Sequence, residues 1–153
     1  MTPDIMGNAR DVIRSGSLDT IQVAQKKYSQ MLEPLCRQWQ ITKTELDILL
    51  FLANNPTLDR SADIVSIRRI AKSHVSLSVG NLEQRGLLYR VYDPDDRRTA
   101  HLKLTEEAGP IVQEGSRIQQ LFFSQVFAGL TEEELAFWRS ILDRVCLNIQ
   151  KMN

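Results

Sequence analysis

The residues able to do chemistry in this chain are mostly basic, and they crowd into one stretch. Arg60, Arg68, Arg69, Lys72, Arg85, Arg90, Arg97, Arg98 and Lys103 fall between positions 60 and 103, with both histidines, His74 and His101. Asp63, Glu83, Asp93, Asp95 and Asp96 share the stretch. Nine basic groups against five acidic ones make it +4, and the remainder of the 153 residues is −4, beneath a formal net charge of zero. The whole-chain balance argues against a polyanionic partner. The local one argues for it, because guanidinium and ammonium groups at this density suit the phosphates of a nucleic acid.

Catalytic chemistry is poorly served. No Ser/His/Asp set, phosphate-binding glycine loop or H-E-x-x-H occurs, and Glu106 and Glu107 stand where a helix start accounts for them. Cys36 and Cys146 are far apart, no C-x-x-C occurs, and His74 has no ligand type four residues away. Neither an enzyme nor a metal or cofactor is therefore expected. The N-terminus lacks the apolar core of a signal peptide, and no run of about 18 apolar residues exists. A soluble cytoplasmic protein without a membrane partner is the expectation.

The elements that must position the basic residues can be read from periodicity. Leu18, Ile21, Ala24, Tyr28, Met31, Leu32 and Leu35 lie on one helical face. Pro34 predicts a kink or an early end. Thr42 and Glu45 form a capping box for a second helix, with Leu46, Leu49, Leu50 and Ala53 inward and Asn54-Asn55-Pro56 as its stop. A short helix is expected over about 61–68, with Ile64, Val65 and Ile67 inward. A fourth follows over about 72–85, with Val75, Val79 and Leu82 inward and Gly86 ending it. The period then changes to that of two strands, about 87–92 and 99–104, joined by the turn-forming Asp93-Pro94-Asp95-Asp96-Arg97-Arg98. A long helix opens at Thr105 and runs to about Phe127. A last one, boxed by Thr131 and Glu134, carries Leu135, Trp138, Leu142, Val145 and Ile149 in steps of three and four.

Helix–turn–helix followed by a charged hairpin is a winged helix. The expected fold is mainly α, in three parts. Residues 1–40 hold the N-terminal helix, 41–104 form the winged helix-turn-helix, and 105–153 supply two further helices, the last carrying a narrow coiled-coil-type seam of Leu135, Trp138, Leu142, Val145 and Ile149. On the fourth helix the inward set leaves Lys72, Ser73, His74, Ser76, Leu77 and Asn81 outward. Ser73, His74 and Ser76 can hydrogen-bond base edges or phosphates, and Leu77 can touch a thymine methyl group. Arg68 and Arg69 precede this helix, in reach of phosphates.

The run Asn81-Leu82-Glu83-Gln84-Arg85-Gly86-Leu87-Leu88, then Asp93 to Arg98, then Leu102-Lys103-Leu104-Thr105, resembles the LExxGL…DPxDRR…LT run of the MarR family. The resemblance extends from about Leu18 to Ile149. It implies a homodimeric transcriptional regulator, commonly a repressor, on a palindromic double-stranded operator with half-sites about one turn, ~34 Å, apart. It places dimerisation in residues 1–40 and 105–153, with Leu135, Trp138, Leu142, Val145 and Ile149 on the seam. It further implies that Asp96 fixes Arg98 for the minor groove, with Arg97 nearby on phosphate. A small-molecule effector is implied as well, in a cleft lined by Arg14, Tyr28, Met31 and Trp39; the competing reading places the last three in the core. The sequence departs from the family pattern at Arg69, where relatives often have Gly, at Ala71, where Ser or Thr caps, and at Ser78, where a large apolar residue is usual. A winged-helix protein–protein adaptor and a cysteine-based redox sensor of the same fold remain alternatives.

Overall fold

The computed structural model describes residues 17–152; Arg14 lies outside them. The order is α1 (Ser17–Trp39), α2 (Lys43–Asn54), α3 (Ser61–Arg68), α4 (Lys72–Gln84), β1 (Leu88–Tyr92), β2 (Ala100–Leu104), a 3₁₀ turn (Glu106–Ala108), α5 (Gly109–Val126) and α6 (Glu132–Gln150). The described residues form two compact units, one reaching to Gln119 and one beginning at Gln120.

In the first unit α2 is the centre. Its capping box forms as expected: Thr42 Oγ1 accepts from the Glu45 N–H at 3.1 Å, and Glu45 Oε2 accepts from the Thr42 N–H at 2.8 Å. The expected single inward face is too narrow for this helix. Leu46 and every residue from Ile48 to Leu52 are buried, and Ala53 is only half-buried. A helix apolar nearly all round is one with neighbours nearly all round. Val75, Val79 and Leu82 from α4, Ile64 from α3, Leu88 and Leu102 from the hairpin and Ile111 from α5 complete the same core. Gly115 of α5 lets this packing close, since a Cβ there would stand 2.7 Å from Leu50 Cδ2.

Pro34 does not end α1, which continues to Trp39. The proline removes one helical hydrogen bond, but its neighbours Leu32, Leu35 and Cys36 are buried in the core. Tertiary packing outweighs the local defect. Ile67, expected inward, is half-exposed at 50%. The helix expected from Thr105 is delayed: Thr105 donates from Oγ1 to the Gly86 carbonyl at 2.7 Å, a 3₁₀ turn follows, and α5 begins at Gly109.

The hairpin pairs Leu88 with Leu104, Arg90 with Leu102 and Tyr92 with Ala100 in antiparallel register. Thr99 belongs to the tip rather than to the strand. In the second unit α6 starts from the expected capping box of Thr131 and Glu134. None of its residues is buried. Its one aromatic anchor packs locally, Trp138 against Phe127 edge-on at 5.1 Å.

Candidate nucleic-acid interface

α4 presents the expected outward face. Lys72, Ser73, His74, Ser76 and Leu77 are exposed, Leu77 at 65%. Asn81 departs from it. Its Nδ2 donates to Glu45 Oε1 at 3.0 Å, so it docks α4 onto the capping box of α2. Ser78 is buried with Val75, Val79 and Leu82.

The turn before α4 is made by Arg69 at φ 56°, ψ 31°, the left-handed region. A glycine would sit there freely, and an L-residue costs roughly 1–2 kcal/mol. Arg68 is committed elsewhere. Its Nε lies 3.4 Å from Asp47 Oδ2, and its guanidinium stands 5.3 Å over the Phe51 ring. Burial raises the Asp47 pKa, and the Arg68 charge only partly offsets that. Arg68 therefore ties the end of α3 to α2, a role that its expected place on phosphates left out.

At the wing tip the relation between Asp96 and Arg98 is real but differs in kind. Asp96 Oδ1 accepts from the Arg98 backbone N–H at 3.0 Å, and Oδ2 from Thr99 Oγ1 at 2.8 Å. These two bonds, the backbone one first, hold the Asp96 carboxyl below its ordinary pKa. Asp96 thus shapes the turn through the Arg98 backbone rather than through its guanidinium.

Between α3, α4 and the wing lies a groove of about 520 Å³ whose lining includes Ser61, Lys72, Ser76, Arg90, Tyr92 and Arg98. The groove brings Lys72 of α4 and Arg98 of the wing tip to one place. Arg90, not singled out from the sequence, also reaches Glu83 Oε2 at 3.5 Å. Among the described residues, no ion pair holds Arg69, Lys72, Arg97 or Arg98.

Other basic residues of the +4 stretch serve structure. Arg85 donates to the Gln40 and Trp39 carbonyls at 2.8 and 2.6 Å, satisfying the end of α1 where Gln40 turns to φ 52°. Lys103 Nζ and His101 Nδ1 both lie 2.6 Å from the Asp59 carboxylate. Asp59 sits one position before the stretch and was missed. Its partners are 42 and 44 residues away, a spacing that no local rule reads.

Of the expected cleft residues, Tyr28, Met31 and Trp39 are half-buried against the core. Tyr28 keeps a polar connection, its hydroxyl accepting from Gln119 Nε2 at 2.8 Å. Gln119 Oε1 in turn accepts from Asn54 Nδ2 at 3.1 Å. Burial raises the Tyr28 pKa despite that hydrogen bond. Cys36 is buried, and burial pushes its thiol up as well; Cys146 is exposed. No group of three metal-ligating side chains occurs among the described residues. No described helix is long and apolar enough to cross a membrane.

The chain is similar to several known proteins. The MarR family model matches residues 39–99, from the end of α1 through the wing tip. The transcriptional repressor MdtR of Bacillus subtilis is 28% identical over 130 residues, covering 85% of this chain and 83% of its own. A putative MarR family regulator from Listeria monocytogenes, solved in complex with 26mer DNA, superposes with a TM-score of 0.76 at 20% identity, over 86% of this chain and 87% of that one. BpsR of Bordetella bronchiseptica, whose DNA binding is regulated by 6-hydroxynicotinic acid, superposes with a TM-score of 0.63 at 21% identity, over 87% of this chain and 98% of that one.

Proposed function

We propose that the chain is a DNA-binding transcriptional regulator of the MarR type and not an enzyme, a homodimeric repressor on a palindromic operator, released by a small molecule; its likeness to the MarR family model and to the repressor MdtR supports this reading. One observation carries the DNA-binding part. Lys72 at the start of α4 and Arg98 at the wing tip line the same groove, while Ser73, His74, Ser76 and Leu77 stand exposed on α4. An adaptor would have no need to gather those charges beside an exposed helix face. The work divides by chemistry. Lys72, Arg69 and Arg97 neutralise phosphates, the exposed α4 residues meet base edges in the major groove, and Arg98 enters the minor groove.

Two copies are required on electrostatic grounds. A unit with a +4 head and a −4 remainder gains little from general attraction to DNA. Two heads on half-sites about one turn apart multiply their affinities. The unburied seam of α6, with Trp138, Leu142 and Val145 each 42–44% exposed, is the surface that joins them. The same transcriptional reading places the protein in the cytoplasm, with its DNA.

Effector release is supported by the half-buried Tyr28 and Trp39, which offer aromatic surface beside polar groups, and by the ligand regulation of BpsR. The redox alternative loses Cys36 to burial. Selection from a random-sequence duplex pool, read by gel shift, tests the main reading. An enriched palindromic site supports it, and no shifted band at low salt overturns it. Loss of the shifted band on adding aromatic carboxylates supports the effector; a band indifferent to all of them removes it.

A further inference from the structure

The wing arginine is useful only if the wing is held at a definite angle to α4, and one residue outside both elements grips the strand that follows it. Asp59 lies in the loop between α2 and α3 and is 9% exposed. It grips β2 three times. Its carbonyl accepts from the Leu102 N–H at 2.7 Å. Its Oδ1 meets His101 Nδ1 and its Oδ2 meets Lys103 Nζ, each at 2.6 Å. Burial pushes the Asp59 pKa up, but the bonds and charges of Lys103 and His101 outweigh it and leave the carboxyl below its ordinary value. An ionised carboxylate only accepts, so Nδ1 of His101 carries the proton in this contact. His101 and Lys103 are two apart on β2 and share its face; Leu102 between them is buried in the core. The strap therefore fixes both the position of β2 and its rotation, three residues from Arg98.

We infer that Asp59 is the positioning residue of the wing: by strapping β2 to the loop ahead of α3, it sets where Arg98 meets DNA. Asp59 itself touches no DNA. The inference rests on the DNA-binding reading above, and it makes a prediction opposite in sign to simple electrostatics. Removing an acidic group beside a DNA-binding face should strengthen binding if charge alone mattered. Loss of the strap should weaken it, by letting the wing swing and charging an ordering cost to each encounter.

The experiment uses the full chain and a duplex that it selects from a random-sequence pool. Asp59→Ala is expected to reduce affinity about tenfold, comparable to Arg98→Ala. The double variant should be no weaker than the worse single one, because both remove the same interaction. Paired with Lys72→Ala the losses should instead add, since Lys72 contacts DNA independently of the wing. Asp59→Asn keeps the shape and the backbone bond to Leu102, and serves if Asp59→Ala does not fold; it should show the same non-additivity with Arg98→Ala. Affinity that rises or stays unchanged in a folded Asp59 variant overturns the strap alone. So does a loss fully additive with Arg98→Ala, which would mark Asp59 as merely stabilising. Failure of the wild-type chain to enrich any sequence overturns the DNA-binding reading, and the strap's role with it.

Discussion

Arg69 and Arg98, both proposed to meet DNA, differ in what holds their backbones. Arg69 occupies a left-handed conformation, so Arg69→Gly should raise stability by up to about 1 kcal/mol, visible as a higher Tm, while weakening operator binding by one phosphate contact. A lower Tm would mean that the arginine side chain supports the turn. Arg98→Ala should weaken binding and lower the slope of log affinity against log salt by about one ion; an unchanged slope would remove Arg98 from the interface. Asp59 makes a pH prediction. Its folded pKa is depressed, so its contribution to stability is full above the unfolded value of ~3.9 and is lost as pH falls through the lower folded value. Asp47, with a raised pKa, acts in the opposite sense. The difference between wild type and Asp59→Asn isolates the strap: the stability gap should be constant at neutral pH and close below about pH 4. A gap that persists in acid would assign it to packing instead of charge.

The elements were legible where a local signal sets them. Both capping boxes, the Gly86 stop and the charged turn of the hairpin depend on residues at most six apart, and all appear where the spacing places them. Elements governed by distant contacts were not. Pro34 stays inside α1 because Leu32, Leu35 and Cys36 are held by the core. Asn81 turns from the outward face because Glu45, 36 residues away, offers an acceptor. The approach of α5 to α2 is a further case, set by Gly115. Gly115→Val should cost about 1–3 kcal/mol through overpacking against Leu50. Chemical denaturation checks this, and an unchanged midpoint would show that Leu50 yields freely.

For the molecule as a whole, the exposed seam of α6 is the surface proposed to join two copies. Trp138 and Leu142 lie among Phe137, Ile141, Val145 and Ile149, all more than two-fifths exposed in the single chain. An apolar surface of that extent on one helix is unusual for a monomer. Leu142→Glu should shift sedimentation from dimer to monomer and reduce operator affinity steeply, because the second half-site is lost. A variant that still sediments as a dimer would exclude the seam from the interface.

Sequence alone determined the order of elements, the winged helix and the clustering of positive charge, because capping, periodicity and turn chemistry act over a few residues. It also determined which side chains stand on the outer face of α4, apart from Asn81. Tertiary structure decided which of the basic side chains are tied to partners within the protein. Arg68 goes to Asp47, Arg85 to the end of α1 and Lys103 to Asp59, while Lys72 and Arg98 meet at one groove. The reason is physical. A cation's partner is set by what folding brings within about 4 Å of it, and those partners lie outside any local spacing rule.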